Sequence, residues 1–292
     1  MNGLAVMERF EATQLRPREF DRIRRMVYER FGIDLEGKEM LVAGRLGKKL
    51  RQLGIHSFGE YFDHVLRDAT GQALTAMVDA LTTNHTSFFR EPQHFLYLRS
   101  VILPKLGNTV PLRIWSAACS TGEEPYSIAF ALIEELGRAA QARVSILATD
   151  VSTRVLEQAT RGLYPASRFQ QLPVDQMRHH LLKGTGASEG HYLVKKEARS
   201  LVRFEQLNLM EDFSRVGLFS VIFCRNLMIY FDQQTQQSLV NRLARQLHPG
   251  GYLLIGHAES LNGITHPLEY LCPATYRKPE KTTRFAAPRS RQ

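Results

Sequence analysis

One stretch limits the folds open to this chain more than any other: Arg113-Ile114-Trp115-Ser116-Ala117-Ala118-Cys119-Ser120-Thr121-Gly122-Glu123-Glu124-Pro125-Tyr126. A short apolar run meets a loop of small residues. Two glutamates and a proline then open a helix with Ile128, Leu132 and Ile133 on its apolar side. Strand, small-residue turn and helix in that order form the unit with which a doubly wound α/β sheet holds a nucleotide-like ligand. The loop is no phosphate cradle, because it has neither Gly-x-Gly-x-x-Gly nor Gly-Lys-Ser/Thr. Acids at a helix N-terminus repel a pyrophosphate and suit a cationic ligand. S-adenosylmethionine, with its sulfonium and ammonium groups, is such a ligand.

The pattern on either side of this unit differs. Residues 1–81 read as helices only. Pro17 and Gly32 bracket a first helix with Phe20, Ile23, Val27 and Phe31 on one face. A second spans 35–53 and buries Val42, Leu46, Leu50 and Leu53. Ser57 and Glu60 form a capping box for a third carrying Tyr61, Phe62, Val65 and Leu66, and a fourth runs through Leu74, Met77 and Val78 to Leu81. A small four-helix domain is expected. Residues 82–91 (TTNHTSFFRE) read as a connector. From 92 to 276, apolar runs at 112–115, 144–148, 201–206, 219–224 and 252–255 alternate with helices at 125–136, 152–159 and 233–247, the pattern of a parallel sheet. Residues 184–207 interrupt the alternation with a glycine-bearing turn, expected as a small antiparallel insertion.

Of 292 residues, 43% are apolar, and no apolar run approaches the ~20 residues of a membrane helix. The N-terminus has no apolar signal segment. Three cysteines lie far apart without CxxC, and the ten histidines show no ligand spacing, so a reducing cytoplasm and no metal site are expected. The net charge of +9 suggests nucleic acid until it is located. Residues 277–292 hold six cations against Glu280, a net of +5 in a tail expected to be disordered, so the body carries only about +4.

Asp150 ends the second α/β strand, where an acid accepts hydrogen bonds from ribose hydroxyls; alternatively it caps the next helix, in competition with Ser152. Asn208, after the next strand, offers an amide to an adenine edge or serves as a turn residue. Thr83, Asn84, Thr86 and Arg90, beside Phe88 and Phe89, either close over a ligand or form a solvated hinge. The segment 223–231 (FCRNLMIYF) lacks the Pro-Pro-aromatic turn common in amino-methylating enzymes, which disfavours a nucleic-acid base methyltransferase. Lys38, Arg45 and Lys49 align beside the apolar stripe of the second helix, either steering an acidic partner or forming a solvated face.

On TTNHTSFFRE (82–91), SAACSTGEEPYS (116–127), ATD (148–150) and CRNLMIYF (224–231), the chain resembles the CheR chemotaxis receptor methyltransferases over about residues 15–278. The resemblance implies an N-terminal helical, receptor-recognition domain and an S-adenosylmethionine-binding, Rossmann-like methyltransferase domain that esterifies glutamates on cytoplasmic helices of chemoreceptors. It implies cofactor contacts at Asn84, Thr86, Arg90, Glu124, Asp150, Asn208, Leu209, Asn226 and Leu227. It also compares the insertion, with Gly184, Gly186 and Gly190, to a subdomain that docks a receptor C-terminal peptide in some members. The basic tail after Lys281 has no counterpart in it. A glutamate is ionised at neutral pH and needs no general base. Arg90 and Tyr230 are therefore expected to orient or shield the carboxylate, and Lys38, Arg45 and Lys49 to meet the receptor. A cytoplasmic monomer is expected, with no nucleic-acid partner and no membrane insertion. A receptor-binding adaptor without catalysis is the alternative from a different class.

Overall fold

The computed structural model describes residues 14–82, 85–107 and 111–280. Among the described residues four helices come first: α1 (Pro17–Phe31), α2 (Glu39–Leu53), α3 (Phe58–Arg67) and α4 (Gln72–Leu81). Proline at the first position of α1 and left-handed Gly32 and Gly54 after α1 and α2 supply starts and stops. α2 begins at Glu39 rather than at residue 35. Only half of the expected capping box on α3 forms: the Ser57 hydroxyl accepts from the Glu60 N–H at 3.1 Å, while the Glu60 carboxylate turns to the N–H of His56. Leu53, expected in the buried stripe of α2, is exposed, and so is Leu66 of α3. Each continues its helix's periodicity past the point where a neighbouring element covers it.

The main sheet contains β1 (Leu112–Ala117), β2 (Val144–Asp150), β6 (Val202–Gln206), β7 (Phe219–Cys224), β8 (Leu247–Ile255), β9 (Glu269–Cys272) and β10 (Thr275–Arg277), in the order β6-β2-β1-β7-β8-β10-β9. The first five are parallel; β10 runs antiparallel to β8 and to β9. After β1 the chain builds outward through β2 to β6, then returns to β7 on the other side of β1. That reversal opens a crevice at the carboxyl ends of the central strands. The helix after β1, α5 (Glu123–Leu136), and those after β2 and β7, α6 (Thr153–Arg161) and α7 (Gln233–Arg245), complete the layers.

The insertion starts earlier in the chain than 184. Strands β3 (Leu163–Pro165), β4 (Leu181–Lys183) and β5 (His191–Val194) make a separate antiparallel sheet in the order β3-β5-β4, while Val202–Gln206 belongs to the main sheet. Residues 184–190 are the turn joining β4 to β5. A Cβ on Gly184 would lie 2.1 Å from the Ser188 carbonyl oxygen, so glycine is required there by the turn itself. The expected tail is ordered at its start: Arg277 ends β10 and Lys278 donates to the Leu247 carbonyl. Residues 281–292 lie outside the described residues.

The four helices have no core of their own. Val27, Val42, Leu46, Leu50 and Met77 join Trp115, Leu147, Ile222 and Leu253 of the sheet in one continuous apolar cluster. A bridge between Ile33 and Phe231 and the bond from the Asn208 amide to the Arg30 carbonyl (2.8 Å) tie the layers at their seam. This shared core predicts one cooperative unfolding transition. Leu46→Ala, at a fully buried site, should lower that whole transition by about 2–5 kcal/mol. Two resolved calorimetric transitions, with only one moved by the substitution, would contradict it.

Candidate functional site

A cavity of about 620 Å³ opens at the seam between the helical layer and the carboxyl ends of β1, β2, β6 and β7. Its size suits a nucleoside-sized ligand. Among its lining residues are Thr86, Arg90, Glu124, Asp150, Asn208, Leu209, Asn226, Leu227 and Tyr230. The structure thus brings together every expected cofactor or orienting residue except Asn84, which with Thr83 lies outside the described residues. Asp79, Ile33 and Phe31 line it from the helical layer.

The loop after β1 is shaped by close packing. Gly122 has φ +95°, and a Cβ there would lie 2.7 Å from the Cβ of Ala159 and 2.8 Å from the Tyr164 hydroxyl. The glycine lets α6 and the small sheet approach, a role unlike the glycines of a phosphate cradle. Six described non-glycine residues have positive φ, and five of them (Phe89, Glu91, Ala118, Ser120 and Asn226) lie in the loops around the cavity. Such backbone costs about 1 kcal/mol or more per residue and persists only where the surroundings hold it.

Asp150 accepts from the backbone N–H of Ser120 at 2.9 Å and of Ser152 at 3.0 Å. Ser152 occupies the N-cap position of α6 with its hydroxyl turned to Asp79, so Asp150 lies two residues before the cap and bonds the N–H of the cap residue itself. Burial pushes its carboxyl up to about 6, against the lowering effect of those two N–H groups. Asp79 faces it and is held by the Ser152 hydroxyl at 3.0 Å and by Arg154 at 2.9 Å. Glu124 accepts from Ser116 Oγ at 2.6 Å and from Arg225 at 3.1 Å; burial raises its pKa and Arg225 opposes that. Glu123 turns away, buried against Thr121 and Arg168.

Other expected residues take different parts. The amide of Asn208 donates to Arg30 and accepts from the Met210 N–H, so both ends of the side chain already serve the turn and the layer contact. Phe88 does not cover the cavity: it is 1% exposed and packs on Phe130, Tyr164 and Phe169, anchoring the connector. The basic row on α2 is split. Lys38 donates to the Asp34 carbonyl at 2.7 Å, while Arg45 and Lys49 line a separate shallow cleft with Lys48 and Arg154. Arg45 also donates to the Leu81 carbonyl.

Residues without an assigned sequence role complete the site. Glu259, half-buried, accepts from the N–H groups of Asn226 (3.0 Å), Met228 (2.7 Å) and Gly256 (2.6 Å), and so folds the loop after β7. Gly256 is required beneath that loop, since a Cβ would come within 2.4 Å of the Asn226 amide. Glu91, His94 and His257 bring ligand-type atoms within 4.8 Å of one another. Both Glu91 oxygens already accept from Arg225 or Asn226, which ties Glu91 into an ion network; His94 beside it is buried and His257 exposed. The cavity wall is acidic at Asp79, Glu124 and Asp150, and Arg225 is committed to its carboxylates. That donor set fits the cationic end of S-adenosylmethionine and offers no cradle for phosphate.

The family description "CheR methyltransferase, SAM binding domain" matches residues 84–276, and "CheR methyltransferase, all-alpha domain" matches residues 18–82. The chain belongs to the CheR methyltransferase family. It is 46% identical over 250 residues to chemotaxis protein methyltransferase 2 of Pseudomonas aeruginosa, covering 85% of this chain and 88% of that protein. It is 40% identical over 269 residues to the chemotaxis protein methyltransferase of Borreliella burgdorferi (89% and 94%) and 39% over 261 residues to that of Escherichia coli (89% and 90%). As a CheR methyltransferase the chain uses S-adenosylmethionine. No helix among the described residues is long and apolar enough to cross a membrane.

The position of Asp150 in this CheR cavity gives a pH prediction. Read as the acceptor for ribose hydroxyls, the carboxylate acts in its charged form, and burial pushes it up to about 6. Cofactor affinity should therefore hold at neutral and alkaline pH and weaken as pH falls through that value. Asp150→Ala should lose about 1.5–3 kcal/mol, at least tenfold in affinity. Calorimetric titration giving wild-type affinity in the alanine variant at neutral pH would refute the assignment.

Proposed function

We propose that this methyltransferase esterifies glutamate side chains on the cytoplasmic helices of chemoreceptors, acting in the cytoplasm as a monomer. The observation that carries this reading is the cavity itself. One acidic wall suits the cofactor, and Arg90, Tyr230 and half-exposed Ile229 line the same space, so an arginine and a phenol meet an incoming carboxylate. Bound there, S-adenosylmethionine supplies an electrophilic methyl group that a carboxylate takes by in-line displacement.

The protein's part is then binding, orientation and exclusion of water. Asp150 holds the ribose, and Glu124 accepts from the ammonium end. The backbone around Asn208, Leu209, Asn226 and Leu227 walls the adenosyl group. Arg90 pairs with the substrate carboxylate and Tyr230 shields it. Glutamate is ionised at neutral pH, so the scheme requires no general base. The cationic cleft of Arg45, Lys48, Lys49 and Arg154 lies on the helical side of Asp79, which itself reaches the cavity; it suits the acidic face of a receptor helix. A receptor C-terminal peptide would add to a free edge of the small sheet, β4 or β3, since the glycines of 184–190 are occupied in making the turn.

One assay tests both recognition elements: initial methylation rates on a full-length receptor and on one shortened at its C-terminus. Lys48→Glu with Lys49→Glu spares the Arg45–Leu81 bond. It should slow methylation of both receptors and lower the salt sensitivity of the rate, with cofactor affinity unchanged. Equal rates for wild type and variant at low salt would reduce the cleft to a solvated face. Equal wild-type rates on the two receptors would remove the tail from the account.

A further inference from the structure

Arg225 follows β7 directly and is 6% exposed, yet it makes contacts in three directions. Its Nη1 donates to Glu124 at 3.1 Å, at the start of α5. Its Nε and Nη2 donate to Glu91 at 3.3 Å and 3.0 Å, in the connector. Nη2 also donates to the backbone carbonyl of Arg90. The ring of Phe95 lies under the guanidinium at 5.7 Å. The two acids are fixed from their other sides: Glu124 by Ser116, and Glu91 by the amide of Asn226 at 3.1 Å.

We propose that Arg225 is a positioning residue for methyl transfer, keeping Glu124 available as a charged acceptor in the cofactor cavity and fixing the backbone from which Arg90 reaches the same cavity. The inference rests on the reading of Glu124 as a cofactor contact. The groups that face Glu124 are Arg225 and Glu91, the Ser116 hydroxyl, and the thiols of Cys119 and Cys224. Arg225 is the sole cation in that set, and Glu91 is a second, half-buried acid. Nearby His94 adds no charge, because burial depresses its pKa to about 3. Burial alone drives Glu124 toward its neutral, protonated form, and a protonated carboxyl is a poor partner for an ammonium group. The planar fork is also needed for reach: it spans two carboxylates and a carbonyl at once, which a lysine ammonium does not.

The test measures S-adenosylhomocysteine affinity by calorimetry from mildly acid to mildly alkaline pH, with methylation rates alongside. Arg225→Gln should weaken binding by about tenfold or more at neutral pH. The deficit should shrink as pH rises, because Glu124 without its cation ionises only at higher pH. Arg225→Lys should recover part of the loss. Removing one member of a buried ion network also threatens folding. Arg225→Gln with Glu91→Gln removes opposite charges together, and in this folded background the affinity deficit and its pH dependence should persist. A deficit that is the same at every pH, or wild-type affinity in either variant, would overturn the proposal. Glu124→Gln is the control on the underlying reading: if it binds like wild type, Glu124 is not a cofactor contact and the role given to Arg225 falls with it. If Glu124→Gln weakens binding but Arg225→Gln does not, the site stands and Arg225 is only a scaffold.

Discussion

A single buried guanidinium joins three parts of this molecule that the chain order keeps far apart. Arg225, at the end of β7, holds Glu91 of the connector and Glu124 of the helix after β1, residues separated from it by 134 and 101 positions. Burying one cation with two acids is costly unless nearly every donor and acceptor is used, and here nearly every one is. Ser116 and Asn226 complete the acids, and Glu259 completes the loop carrying Asn226. Two of the strained residues around the cavity belong to the same network. Glu91 and Asn226, both at positive φ, are bonded to each other through their side chains.

The cavity follows from topology before chemistry. Reversal of strand order between β1 and β7 leaves an opening at the carboxyl end of any such sheet. In this protein the helical layer closes one side of it, sharing a core with the sheet and reaching the cavity with Phe31, Ile33, Val78 and Asp79. The acids Asp79, Glu124 and Asp150 face the space, and this suits a cationic ligand. The same acids are destabilised by their burial, as the raised pKa values of Asp150 and Glu124 record. A bound cation relieves that cost, so the electrostatics of the free site favour a cationic cofactor.

Much of this was legible in the residue order. The strand–loop–helix at 113–126, the acid at 150 and the segment 224–231 are local patterns, and they converge where such a sheet brings its strand ends together. What was not legible depends on partners distant in sequence. Helical periodicity places Leu53 and Leu66 on apolar stripes, but only the packed structure shows that nothing covers them. Asn208 reads equally as a ligand amide or a turn residue, and its tie to Arg30, 178 positions away, decides how its side chain is used. The early start of the small sheet was hidden because three-residue strands at 163 and 181 give too short an alternation to read. Glu259 and Gly256 stand out only once the loop they hold is in place.

The most direct test of the account is the chemistry of the product. Methyl-labelled S-adenosylmethionine, incubated with this protein and receptor-bearing membranes, should label the receptor polypeptide, and mild alkali should release the label as methanol, the behaviour of a carboxylate ester. Label that survives alkali, or label found on nucleic acid and absent from the receptors, would contradict it.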